Sequence, residues 1–139
     1  MTKYVTLIKE IDYIQNYIEI EKLRFENVEV TLNIESNIDN VIVPPLLFIS
    51  LIENAFKHGG YNNKKLKIKI NCKIVDKFFY LEIINNFVLS PSVKNQKGIG
   101  LVNTKKRLKL IYKNNFSIEH QVKFNYYIIQ LKIPINNED

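Results

Sequence analysis

Leu51-Ile52-Glu53-Asn54-Ala55-Phe56-Lys57-His58-Gly59 is the stretch on which the reading of this chain turns. It ends an apolar run that begins at Val41, and four polar or charged side chains interrupt it. Pro44-Pro45 stands where a helix tolerates proline, in the first turn, and Gly59-Gly60 supplies a stop, so the pattern predicts a helix over 46–58. Leu46, Leu47, Phe48, Ile49, Leu51, Ile52, Ala55 and Phe56 make that helix apolar almost all round, which demands burial. Asn54, Lys57 and His58 fall at spacings of three and four and share one face, with Glu53 one position off. Leaving an acid, an amide and an ammonium unpaired in a core costs several kcal/mol. Two arrangements avoid that cost: a polar network satisfied within the helix end, or a site. In a site, Asn54 offers a hard oxygen to Mg²⁺, Lys57 a charge to phosphate, and Glu53 a group that orients or deprotonates an attacking atom.

Outward from this helix the periodicity changes. Val28-Glu29-Val30-Thr31-Leu32-Asn33-Ile34 alternates as a strand does. On the other side, Leu66, Ile68, Ile70, Cys72 and Ile74 alternate with Lys65, Lys67, Lys69, Asn71 and Lys73, and a tight turn at 75–77 leads into a second strand over 78–84. Residues 85–97 are polar, contain Pro91 and read as a long, mobile loop. Gly98-Ile99-Gly100 then opens a helix over 101–113, where free amides and the helix dipole suit an anion. Two strands, near 116–121 and 126–133, close the chain. The first 27 residues hold no Gly or Pro and read as one long helix. Its row Leu7, Ile11, Ile14, Ile18 and Phe25 covers either the chain's own core or a helix–helix dimer seam. The order defines an α+β class: one mixed, mainly antiparallel sheet against a helical layer, behind one long N-terminal helix.

Composition removes other classes. The 139 residues carry twenty Lys and Arg against fourteen Asp and Glu, a formal charge of +6. Eighteen of the twenty cations are Lys, and Ile, Lys and Asn together make 58 residues, the mark of a coding bias towards A and T rather than of a basic site. The densest lysine cluster, Lys65, Lys67, Lys69 and Lys73, is one strand face with no interleaved aromatic platform, so nucleic acid is not an expected partner. A single cysteine, Cys72, excludes an intramolecular disulfide and a cysteine-rich zinc site, and points to a reducing compartment. The run from Val41 is about half of the roughly 20 residues a membrane span needs, and no signal-peptide pattern begins the chain.

Val43-Pro44-Pro45, the 51–59 stretch, Gly98-Ile99-Gly100-Leu101-Val102-Asn103 and Arg107-Leu108, taken together, resemble the catalytic domain of LytS/YehU-type sensor histidine kinases, within the GHKL ATPase superfamily. Residues 17–25 are similar to the family's helix just before its ATP-binding domain. The resemblance implies a Bergerat-type two-layer sandwich over 28–139, with 1–27 as the last helix of a dimerisation region. It implies ATP (released as ADP) and Mg²⁺ as ligands. The N box maps onto Glu53, Asn54, Lys57 and His58, with Asn54 on Mg²⁺ and Glu53 and Asn54 as the catalytic pair. The G2 box maps onto Gly98, Ile99, Gly100 and Leu101, with Asn103 and Arg107 on the helix that follows, and 87–97 becomes the lid. The γ-phosphoryl group then passes to a histidine in the dimerisation region of a parent kinase, and onwards to a response regulator. Such a chain is the cytoplasmic portion of a membrane-anchored bacterial kinase.

Two departures accompany the resemblance. The family's adenine-reading box carries Asp followed by glycines; here Ile83-Ile84-Asn85-Asn86-Phe87 has Asn in the Asp position and no glycine. Asn85 can accept from the adenine amino group and donate to the neighbouring ring nitrogen, and Phe87 narrows the pocket. The family's His-Phe phosphoacceptor motif is also missing, since the two histidines are His58 and His120. The expected acceptor is therefore outside this catalytic fragment. Two alternatives stay open: a degenerate, non-catalytic GHKL-fold module that relays a homodimer signal through the N-terminal helix, and a kinase acting on a partner's serine.

Overall fold

The computed structural model describes residues 4–25, 27–35, 37–58, 65–86 and 91–137. β1 (Val5–Thr6) leads into α1 (Leu7–Arg24), and β2 (Val28–Ile34) and β3 (Val41–Val43) precede α2 (Ile49–His58). β4 (Leu66–Val75) and β5 (Phe78–Asn86) form a hairpin, and α3 (Pro91–Tyr112) precedes β6 (Ser117–Lys123), β7 (Tyr126–Pro134) and β8 (Asn136–Asn137). Alternation builds the main sheet. On β4, Leu66, Ile68, Ile70 and Cys72 are buried, while Lys67, Lys69 and Lys73 face solvent. Val75 pairs with Phe78 across a two-residue turn, in which Asp76 takes a φ of 57°, a conformation that Asp tolerates in turns. The five strands lie in the order β2-β4-β5-β7-β6. β2 and β4 are parallel, because α2 lies in the crossover between them; the other pairs are antiparallel. This is the expected α+β architecture. A small second sheet, β1-β3-β8, was not foreseen from the sequence.

α1 begins later than the expected helix over 1–27, because Val5 and Thr6 pair with Val43 and Ile42 of β3. Thr6 caps the helix by accepting from the Lys9 amide at 3.2 Å. The row Leu7, Ile11, Ile14 and Ile18 is buried in the chain's own core, where α1 meets β3 and α2. Of the two readings of that row, the structure takes the first. Tyr17 and Phe25 extend the contact, each with its ring centroid 5.7 Å from that of Phe56 on α2.

The starts of α2 and α3 differ from the sequence reading, and proline accounts for both. The helix expected over 46–58 starts at Ile49, and residues 45–48 form a turn in which Leu46 is half-exposed with a φ of 59°. Proline at 44 and 45 is as compatible with a turn as with a helix start. The expected loop over 85–97 is replaced at both ends. Asn85 and Asn86 finish β5, and α3 already runs from Pro91, whose fixed φ suits a first helical turn and whose missing amide costs nothing there. The remaining expected loop positions, 87–90, lie outside the described residues.

Candidate functional site

α2 is the middle of the molecule. It meets α1, α3 and β5, and its Leu51, Ile52, Ala55 and Phe56 are buried. With that side committed to the core, Glu53 and Asn54 are left half-buried and Lys57 is exposed. The Nδ2 atom of Asn54 is itself buried and has no hydrogen-bond partner among the described residues. A buried amide left unpaired costs about 1–3 kcal/mol. Such exceptions call for an explanation, and a ligand position is one. Because the two ends of an amide exchange by a half-turn, the same place accepts an oxygen facing a hard cation. Glu53 lies close enough to Tyr17 to act on it: burial first, then Glu21 and Glu53, push the Tyr17 hydroxyl up to about 12 against the opposing pull of Arg24.

β5 supplies the second element. Asn85 is 1% exposed on the inner face of the sheet, opposite Ile68 and Tyr127. Its Nδ2 donates to the carbonyl of Asn86 at 3.1 Å, which leaves a second N–H for another acceptor. The neighbouring Asn86 points the other way and stitches the strand end, accepting from the Lys67 amide at 2.9 Å and donating to the Lys65 carbonyl at 2.7 Å. An aspartate at 85 would bring a charge to this buried place; an amide does not.

α3 is the third element, and here the structure rearranges the expectation. Gly98, Ile99 and Gly100 lie inside a continuous helix rather than at its start, so their amides fall within the helical hydrogen-bond pattern. Among the residues that follow, Leu101 is half-buried, Asn103 is exposed, and Thr104 and Leu108 are buried. Arg107, expected on a nucleotide, donates from Nη2 to the Pro45 carbonyl at 2.5 Å. The side chain of His58 lies outside the described residues, as do those of 91–100. Of the expected site, then, α2 directly contacts both the strand that carries Asn85 and the helix that carries Gly98, Ile99 and Gly100.

The sequence reading missed two features. Buried Glu10 joins α1 to the turn before α2, accepting from the Leu46 amide at 2.7 Å; three residues after Leu7 and four before Ile14, it shares the buried side of the helix, and that spacing is the signal that could have found it. The outer side of the sheet also holds a concavity of about 500 Å³. Its floor is a hydrogen-bonded row in which Asn33 donates to Asn71, Asn71 to Glu82, and Gln130 to Glu82. Only the register of four strands brings that row together. Among the described residues, no three His, Cys, Asp or Glu side chains gather as a metal cluster, and no helix is long and apolar enough to cross a membrane.

The mixed five-stranded sheet with its helical layer, among the described residues, is the fold of a histidine kinase catalytic domain. The catalytic domain of the histidine kinase ThkA, free of nucleotide, superposes with a TM-score of 0.71 at 20% identity, covering 96% of this chain and 95% of that one. A structure of ThkA with the response regulator protein TrrA gives a TM-score of 0.58 at 17% identity, over 96% of this chain and 41% of that one. Among curated proteins, the sensor histidine kinase BtsS of Escherichia coli K12 is 28% identical over 140 residues, 99% of this chain. The sensor histidine kinase/phosphatase LytS of Staphylococcus aureus MRSA252 is 37% identical over 62 residues, 44% of this chain and 11% of its own length. The chain spans 25% of the length of BtsS. No protein-family model matches it.

Proposed function

We propose that the chain binds Mg²⁺·ATP where α2 meets β5 and α3, and transfers the γ-phosphoryl group to a histidine outside these 139 residues. The observation that carries this reading is the unpaired, buried amide of Asn54, on the helix whose sequence matches the N box. Mg²⁺ takes one or two protein oxygens and completes its shell with phosphate oxygens and water, and one amide oxygen suits that habit. Asn54 is the residue to hold it, and the ion supplies neutralisation of charge on the phosphates. Asn85 reads the adenine edge, accepting from the amino group and donating its remaining N–H to the ring nitrogen. Lys57 brings its ammonium to the phosphates. Glu53 orients the incoming imidazole and draws its N–H proton, so that the free lone pair attacks phosphorus. The bond to the bridging oxygen breaks, and ADP leaves with that electron pair. Most of the acceleration in such transfer comes from positioning and charge stabilisation, and a buried helix holds its groups in place.

The onward partner is a response regulator, a proposal supported by the fold shared with ThkA, which has been seen with TrrA. A second reading, a GHKL-fold module that has lost catalysis, is favoured by the unbroken course of α3 across Gly98 and Gly100, which leaves no open amide cradle at a helix start. Calorimetry separates the two. Mg²⁺·ADP binding that falls at least tenfold in Asn54→Asp supports the kinase reading. No binding at millimolar nucleotide, with no effect of Asn54→Asp, overturns it.

A further inference from the structure

We infer that Glu10 and Arg107 are positioning residues for the nucleotide site, gripping the two ends of a single peptide unit from two different helices. The inference rests on the nucleotide-binding reading above. The unit joins Pro45 to Leu46. Its carbonyl accepts from Arg107 Nη2 at 2.5 Å, and its N–H donates to Glu10 Oε1 at 2.7 Å. A trans peptide is planar, with its C=O and N–H pointing to opposite sides. A guanidinium at one pole and a carboxyl at the other therefore fix its rotation, and hydrogen bonds to such charged groups are among the strong ones.

The residue that follows needs this grip. Leu46 has a φ of 59°, in the left-handed region that side chains with a Cβ avoid. Its side chain is 47% exposed, so burial offers no compensation. Glu10, by contrast, is 3% exposed, and its Oε2 is buried without a partner among the described residues. The acid accepts a poor environment and makes one contact there, to this peptide. Arg107 is the other charged group acting on it.

What is gripped is the start of α2. Two residues beyond Leu46, the Phe48 carbonyl accepts from the amides of Leu51 and Ile52, both at 3.1 Å, and the helix that carries Glu53, Asn54 and Lys57 begins. Upstream, β3 is paired to β1, which runs directly into α1 and Glu10. The peptide is thus the junction of α1, α2 and α3. A shift of α1 is carried to Asn54 through α2, and to the glycine-bearing helix through Arg107. Arg107 acts on the nucleotide through the fold and not by contact.

The test measures Mg²⁺·ADP affinity by calorimetry and backbone amide exchange by mass spectrometry on the 139-residue chain. Glu10→Ala and Arg107→Ala are each expected to weaken Mg²⁺·ADP about tenfold, and the double variant no more than the weaker single one, since both remove one clamp. Glu10→Gln keeps an accepting oxygen and stays within about threefold of the parent. Leu46→Gly in the Glu10→Ala background restores affinity, because glycine adopts a φ of 59° unaided. Amide exchange in the first turn of α2 and over 101–112 speeds up in Glu10→Ala and slows again with Leu46→Gly. Additive losses, no rescue by glycine, or unchanged exchange in either helix overturns the clamp. If the parent chain binds no ADP, the nucleotide reading fails, and the exchange pattern alone upholds or overturns the clamp. Should Glu10→Ala not fold, Glu10→Asp, one methylene too short to reach the amide, carries the same comparison.

Discussion

α2 and α3 each bring polar groups to the same meeting place, and they are held there by opposite means. α2 has ten residues, and five of them, Ile49, Leu51, Ile52, Ala55 and Phe56, are buried. α3 has twenty-two residues, and its described buried side chains are Thr104 and Leu108, both in its second half. Its first half contains Gly98 and Gly100, which lower helix stability by about 1 kcal/mol each relative to alanine. In α2, Glu53, Asn54 and Lys57 are placed by buried apolar neighbours, whereas the described half of α3 is pinned by Thr104, Leu108 and the Arg107 contact. α2 is preorganised by the core; the described half of α3 is held by fewer buried side chains.

The largest expected effects break this contrast directly. Ile52→Ala removes a side chain with no accessible surface and is expected to cost about 3–4 kcal/mol in urea unfolding, within the range for core truncations. Leu108→Ala, also wholly buried, is expected to cost less, about 2–3 kcal/mol, because the described half of α3 has fewer fully buried neighbours and leaves room for collapse. Equal costs would mean that α3 is packed as rigidly as α2. Next in size, Gly98→Ala with Gly100→Ala should stabilise the chain by about 1 kcal/mol per site if the helix runs through both positions. On the kinase reading the same pair should weaken nucleotide binding, since glycine lets a backbone approach phosphate closely. Loss of stability instead would place these residues outside a helix in solution.

The smallest effect concerns the start of α2. Burial, opposed by the Leu46 amide and by Arg107, leaves the Glu10 carboxyl above its ordinary 4.5. The unfolded chain therefore releases this proton first as pH rises, and the folded chain is the worse acid. Its contribution to stability is complete below pH 4.5 and is lost as pH climbs through the folded value. Glu10→Gln has no such loss. Melting curves from pH 4 to pH 7 should show the parent losing ground against Glu10→Gln, and a constant gap would mean that the carboxyl is not desolvated.

The parts of the fold legible in the sequence are those written in period two or in long apolar runs. Lys67, Lys69 and Lys73 announced the solvent face of β4, and the apolar run around Ile52 announced a buried helix. The start of α2 is not legible, because Pro44-Pro45 is compatible with either a turn or a helix. The start of α3 is not legible, because Gly98 and Gly100 resemble a helix opening while a proline seven residues earlier already supplies one. Asn54 and Asn85 were legible as candidates, since amides stand out among apolar neighbours. Arg107 was legible as a residue of the motif, and its contact with Pro45 was not.

What the sequence determined by itself is therefore local: strand periodicity, helix amphipathy, the turn at Asp76, and the set of polar residues that a core would not tolerate for nothing. These follow from interactions between residues a few positions apart. The tertiary structure decided which face of α1 is covered, how the outer row from Asn33 to Gln130 lines up, and that one peptide is held by residues 36 and 62 positions away from it. Contacts at such separations leave no period in the chain. They exist only once burial has brought the elements together, because only then is a carboxyl such as that of Glu10 confined beside a backbone amide that water would otherwise satisfy.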